Sequence, residues 1–273
     1  LQWGDYYLAV GLLKEFVRRG FGVRLQVLSE WSGSGDALAD MVLVLRGLSR
    51  YEPKLEHFNV MWNISHPDLV DCEEYSLYDY VFVASKKWAD VLAGRLSVPV
   101  GCMWQCTDVD VFYPEFDESY CHDLLFVGNS RKVYRRIVRD VLPTDYDFAV
   151  YGADWGGLID DKYIKGDFIG HDVLRLAYSS CRVLLNDHWD DMREKGFVSN
   201  RIFDAVACGA CVISDDVDGL DDLFPGRVLT YTSRDDLHSL IDEYVHRDME
   251  YDVSMIEGHT FKDRVDQIID IIP

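Results

Sequence analysis

Apolar positions along the chain switch repeatedly between two periods, and the switching predicts strands and helices in turn. Tyr7, Leu8, Val10, Gly11, Leu12, Phe16 and Val17 recur at helical spacing over 4–19, and Gly20 supplies a stop. Short apolar runs predict strands over 23–28, 41–45, 59–64, 80–84 and 98–105, with a flexible loop at 32–36 and a helix over 86–96. Pro67 suits the first position of a helical turn after the third run. Over 107–120 the pattern lapses into an acidic, aromatic stretch that reads as a linker. It then restarts: strands over 123–127, 147–151, 181–185, 211–214 and 227–231, a basic helix over 131–141, and helices over 172–179, 199–208, 233–245 and 255–272. Strands alternating with helices imply parallel sheets with right-handed crossovers. The predicted fold class is α/β, with two doubly wound Rossmann-like domains over 1–112 and 113–256 and a C-terminal helix over 257–273. Leu1 opens on a helix, so a first strand and a larger parent chain are expected before it.

The 273 residues, 48% of them hydrophobic, suffice for two modest cores. A formal charge of −21 repels nucleic-acid backbones and anionic lipid, so nucleic acid is excluded as a partner. The chain has no 18-residue apolar run, so no stable membrane insertion is expected. Seven cysteines, an odd number scattered through apolar stretches, fit reduced thiols and a cytoplasmic location. Cys208 and Cys211 have metal-pair spacing but no second pair and fall on packing faces, so no metal site is expected.

In open parallel sheets ligands bind beyond the carboxyl ends of the strands, so chemistry is sought there. After 123–127 come Gly128, Asn129, Ser130 and Arg131, a small-residue turn that suits a diphosphate, or equally a helix cap beside a solvated basic face. After 147–151 come Gly152 and Trp155, the latter either a base-stacking ring or core. Asn186 and His188 follow 181–185, either facing a ligand or serving as a cap and a surface His. The helix over 199–208 has Ser199 or Asn200 as N-cap, Arg201 suited to phosphate oxygens and Asp204 in its first turns. An ordinary packing helix with solvated polar residues is the alternative. In the first half, Asp5 at the start of the first helix and His66 and Asp68 after a strand are candidate general bases. A capping role for His66 is the competing reading.

The run Asn200-Arg201-x-Phe203-Asp204-Ala-x-Ala207-Cys208-Gly209 resembles the nucleotide-sugar signature of group 1 glycosyltransferases with the GT-B fold, in the variety similar to the spore maturation protein CgeB. The resemblance implies two Rossmann-like domains facing a cleft, the second binding the donor and the first the acceptor. It implies that Asp204 holds the donor ribose, that the turn at Gly128 and Asn129 lies beside the diphosphate, and that Asn186 and His188 face the donor. Gly196, Phe197, Val198 and Ser199 would belong to a loop over the sugar and phosphates. The family's sugar-contacting acid lies eight positions upstream of Asp204, where this chain has Gly196, with Glu194 two residues away.

The expected function is metal-independent transfer of a sugar from a nucleotide diphosphate sugar, UDP- or GDP-linked, to a glycan, lipid-linked or protein acceptor, with no cofactor. A non-catalytic nucleotide-sugar or glycan binding module of a larger protein is the alternative. A nucleotide-sugar epimerase on the same fold is a third.

Overall fold

The computed structural model describes residues 4–31, 33, 35, 37–248 and 250–273; Trp3 and part of the 32–36 loop lie outside them. The chain divides into two compact units. One comprises Leu1–Cys106, Trp189–Val198 and Gly258–Pro273, the other Thr107–His188 and Ser199–Glu257. In chain order the first unit begins with α1 (Gly4–Arg18), β1 (Met41–Arg46), β2 (Phe58–Asn63), α2 (Cys72–Tyr75), β3 (Tyr80–Val83), α3 (Lys86–Ala93) and β4 (Val100–Cys102). The second unit follows with β5 (Leu124–Val127), α4 (Arg136–Val141), β6 (Phe148–Tyr151), β7 (Ile164–Gly166), α5 (Leu174–Ser180) and β8 (Val183–Asn186). The chain returns to the first unit for α6 (Asp190–Lys195). It resumes the second with α7 (Asn200–Ala207), β9 (Cys211–Asp215), α8 (Leu220–Leu223), β10 (Val228–Tyr231) and α9 (Arg234–Tyr244), and ends in the first with α10 (Phe261–Ile269).

The first sheet has the order β1-β2-β3-β4, all parallel. Successive side chains on a strand point to opposite faces, and β2 shows the consequence. Val60 and Trp62 join Leu8, Leu12 and Phe16 of α1 and Val265 and Ile268 of α10. Met61 joins Ala89 and Leu92 of α3 on the other side, a cluster completed by Met192 and Phe197 from the α6 segment. A buried ion pair ties the strand ends together: Arg46 donates to both Glu74 oxygens, at 2.7 and 3.1 Å, and to the carbonyls of Gly47 and Leu69. On α10, buried Arg264 donates to the carbonyls of Trp104 and Gln105, anchoring the chain after β4.

The second sheet has the order β10-β9-β8-β5-β6-β7, every pair parallel. The chain therefore winds outward from β5 in one direction, then returns to β8 and winds outward in the other. The reversal falls between β5 and β8, and in doubly wound sheets that is where the crevice for a ligand opens. Leu124, Phe126, Val183 and Leu185 pack with α4 and α9, while α7 packs on β8 and β9 and against α5. Ile202, Phe203, Ala205, Val206 and Ala207 are all buried, so α7 is held along almost its whole length.

Several elements differ from expectation. Residues 23–27 form no strand, and Leu28–Glu30 is a single 3-10 turn. The basic helix begins at Arg136 rather than Arg131, because Arg131 and Lys132 take left-handed backbone angles, φ 54° and 62°. Helix α6, ending at Lys195, was not foreseen; the expected loop follows it over 196–199, and β7 is an unforeseen edge strand. The last predicted helix is broken: a 3-10 turn at Val253–Ile256 precedes α10, with left-handed Gly258 between them.

Candidate functional site

Beyond β5 the chain is laced to the turn beyond β6. Gly128 N–H donates to the Tyr151 carbonyl, Ser130 N–H to the Ala153 carbonyl, and the Ser130 hydroxyl to the Asp154 carbonyl at 2.6 Å. The Asn129 side chain accepts from Ala153 N–H at 2.8 Å. Gly152 is required by space here. A Cβ on Gly152 would overlap the Gly128 carbonyl and lie 2.9 Å from Asn129 N, and its φ of 147° is itself disfavoured for other residues. A Cβ on Gly128 would lie 2.8 Å from Arg201 Nη2. Gly152→Ala is therefore expected to destabilise the second unit by about 3 kcal/mol, the sum of φ strain and backbone displacement. Denaturant titration checks this, and an unchanged midpoint would show that the two turns are not in contact in solution.

Trp155 is core. It is 1% exposed, its ring meets Phe126 edge-on at 5.6 Å, and its indole N–H donates to the Gly128 carbonyl at 2.8 Å. The ring thus shapes the turn from beneath and offers no face to a nucleobase. Ser130 is likewise fully buried, whereas Asn129 and Arg131 are exposed.

Arg201, in the first turn of α7, lies across the switch point. Its guanidinium sits 5.3 Å from the Phe126 ring centroid, beside Gly128, and donates to Asn186 Oδ1 at 2.5 Å. Burial pushes its pKa down. Among the described residues no carboxylate forms an ion pair with it, and Asn186 is its one side-chain hydrogen-bond partner. The neighbouring Arg135, over the same ring at 5.8 Å, is instead neutralised by Asp187 through two guanidinium–carboxylate bonds. Arg135 is thus in direct contact with a carboxylate, whereas Arg201 feels only the longer-range attraction of Asp187 and Asp204.

Asp204 follows one turn on. Its Oδ1 accepts from the Thr107 hydroxyl at 2.8 Å and its Oδ2 from Asn200 Nδ2 at 2.9 Å. It is 8% exposed, and burial raises its pKa to about 8 against the opposing pull of those two hydrogen bonds. A buried carboxyl displaced this far toward neutrality is a common mark of a functional position. Thr107 was hidden from sequence reasoning because it lies in the apparent linker, 97 residues from its partner.

His188 does not face outward. Its side chain is fully buried, with Nδ1 2.6 Å from Asp215 Oδ1 and Nε2 accepting the Ser199 N–H at 2.9 Å. Asn186 is buried as well and donates to the Ser214 hydroxyl at 2.9 Å. Gly196 is the left-handed C-cap of α6, φ 76°, while Phe197 and Val198 are fully buried. Phe197 belongs to the core of the first unit, so neither side chain is offered to a ligand. Cys208 and Cys211 are buried and burial raises both thiols, Cys211 to about 11.

In the first unit the candidate bases gather at the carboxyl ends of β1 and β2. Asp5 lies in the first turn of α1, its carboxylate beside Gly47, which the Ser65 hydroxyl also approaches. His66 takes a left-handed conformation, φ 51° and ψ 54°, as N-cap of the 3-10 turn Pro67–Leu69. Its Nδ1 lies 3.9 Å from Asp191 on α6. A non-glycine residue held in that region stores strain that functional sites often carry. Asp68 is paired with Lys195, whose ammonium also sits 4.9 Å from the Trp88 ring centroid.

No curated protein matches the chain in sequence. Solved structures do match in fold. AviGT4, a glycosyltransferase involved in avilamycin A biosynthesis, aligns with a TM-score of 0.60 at 13% identity over 98% of this chain and 88% of its own. Sucrose-phosphate synthase from Thermosynechococcus elongatus aligns at 0.58 and 13%, over 80% and 68%. Alr3699/HepE from Anabaena, solved in complex with UDP and glucose, aligns at 0.55 and 10%, over 79% and 72%. These likenesses establish the two-sheet α/β architecture as GT-B. The sequence model of the family described as glycosyl transferase-like covers residues 131–270, a little over half of the chain and including all of α7. The chain belongs to the glycosyl transferase-like family.

Proposed function

We propose that the protein transfers a sugar from a UDP- or GDP-linked donor to an acceptor hydroxyl on a glycan, a lipid-linked carrier or a protein, without a divalent metal and in the cytoplasm. Arg201 is the observation that carries this reading. A desolvated guanidinium with no carboxylate at ion-pair distance among the described residues, at the switch point of a Rossmann-ordered sheet and the start of an eight-residue helix, is suited to an anion. The donor diphosphate would lie against Arg201 and the turn at Gly128–Ser130, with Asp204 accepting from the ribose hydroxyls. In the transfer, the acceptor oxygen bonds to the anomeric carbon, and the bond to the diphosphate breaks with its electron pair leaving on phosphate. Arg201 offsets that developing charge. The acceptor proton passes to a general base. The Anabaena structure holds UDP and glucose, which supports this class of donor.

A second reading, a non-catalytic nucleotide-sugar or glycan binding module, draws on Gly196. Where the wider family places an acid, this chain has a left-handed helix cap. A thermal-shift screen of UDP-, GDP-, dTDP- and CMP-sugars, followed by product analysis with EDTA present, separates the readings. Stabilisation by one nucleotide and product formation in EDTA are expected. Binding without turnover favours the module, and turnover that requires manganese overturns metal independence.

A further inference from the structure

We propose that Asp215, acting through His188, is a positioning residue that sets the N-terminus of α7 and the orientation of Arg201. The inference rests on the reading that Arg201 holds the donor diphosphate. A backbone N–H can only donate, so the 2.9 Å contact from Ser199 N requires His188 Nε2 to accept and to carry no proton. The imidazole proton is then on Nδ1 and points at Asp215 Oδ1, 2.6 Å away. The His188 N–H donates to the other Asp215 oxygen at 3.2 Å. Burial pushes the Asp215 carboxyl up, and the hydrogen bonds from His188 and Ser214 pull it down. The tautomer of His188 is thus fixed by a buried carboxylate, and its outer nitrogen grips the N-cap residue of α7.

A second arm leaves the same carboxylate. The Ser214 hydroxyl donates to Asp215 Oδ1 at 3.2 Å and accepts from Asn186 Nδ2 at 2.9 Å. That fixes the Asn186 amide so that its oxygen receives Arg201 Nη1 at 2.5 Å. Both arms end on α7, at Ser199 and Arg201, and close a ring of six groups in which every proton direction follows from Asp215. His188, Asn186, Ser214 and Asp215 are all buried, so water does not compete for these bonds. None of the four need touch a donor. Their arrangement determines where the first turn of α7 and its cation can meet one.

Two substitutions divide the two ends of the imidazole. His188→Asn can place an amide N–H near Asp215 but is too short to reach Ser199. His188→Gln can place an oxygen at Ser199 and gives up the bond to Asp215. UDP and GDP affinities by calorimetry, unliganded melting temperatures, and nitrogen-15 NMR of the imidazoles are the readouts. The expected spectrum shows His188 as the neutral Nδ1–H tautomer, lost in Asp215→Leu. Expected affinities fall by about tenfold or more in His188→Asn, with His188→Gln recovering most of that loss. An Nε2–H tautomer overturns the proposal. So do variants with wild-type affinity, or affinity losses that merely follow melting temperature and are equal in Asn and Gln. If wild type binds neither nucleotide, the donor reading fails, and the NMR tautomer with its loss in Asp215→Leu decides the brace alone.

Discussion

Arg201→Met is expected to abolish the calorimetric response to UDP and GDP while leaving the unliganded protein at least as stable as wild type. Met keeps the aliphatic contact with the Phe126 ring, over which the guanidinium now lies at 5.3 Å, and removes the charge. Hydrogen bonds to charged groups are worth roughly 1.5–3 kcal/mol each, so losing a phosphate-gripping guanidinium should weaken binding by on the order of 100-fold or more. Stability should move the other way. Burial disfavours the cation, Arg135 over the same ring adds repulsion, and among the described residues no carboxylate pairs with Arg201. Asp187 and Asp204 attract the cation only from beyond ion-pair distance, so removing this desolvated charge relieves a penalty rather than breaking an ion pair. A helix-packing role for Arg201 would give the opposite result: wild-type nucleotide affinity together with a lowered melting temperature. Residues that carry function at the expense of stability behave in the expected way, and residues that carry packing do not.

The strands of both sheets other than β7 were legible because each is a short apolar run bounded by polar residues, and α7 was legible because its apolar stripe, cap and Gly209 stop agree. Helix α6 was equally legible by local rules: Asp190 and Asp191 in the first turn, Arg193 and Lys195 in the last, and Gly196 as a left-handed stop. The start of α4 was not legible, since nothing in Arg131-Lys132 announces left-handed backbone angles. His188 shows the limit most clearly. A histidine beyond a strand end reads as ligand-facing until Asp215 and Ser199, 27 and 11 residues on, are seen to occupy both ring nitrogens. The pairs Arg135–Asp187 and Arg46–Glu74 join residues 52 and 28 apart, and only the folded chain reveals which charges are compensated. That distinction, more than the residue types, singles out Arg201.

Asp204→Asn is expected to stabilise the unliganded protein strongly at about pH 9, by less at neutral pH, and hardly at all near pH 4. Burial, against the hydrogen bonds from Thr107 and Asn200, raises the Asp204 carboxyl from 3.8 to about 8. The folded state therefore binds this proton more tightly than the unfolded chain does. Below about pH 4 both states are protonated and the group carries no penalty. Between there and about pH 8 folding takes up a proton, so its contribution to stability falls as pH rises, by up to about 1.4 kcal/mol per pH unit. Above about pH 8 the full penalty stands, at most about 6 kcal/mol for this displacement. Asn mimics the protonated form in shape. Its oxygen can accept from Asn200, and its N–H can donate to the Thr107 hydroxyl, which rotates to accept. Urea midpoints of wild type and variant across that pH range give the test: a gap that widens with pH supports a buried, penalised carboxyl, and a constant or narrowing gap refutes it. Nucleotide affinity should change in the opposite sense. If Asp204 accepts from the donor ribose, the charged form binds best, so wild-type affinity for UDP should rise as pH passes 8, and the Asn variant should bind weakly at every pH.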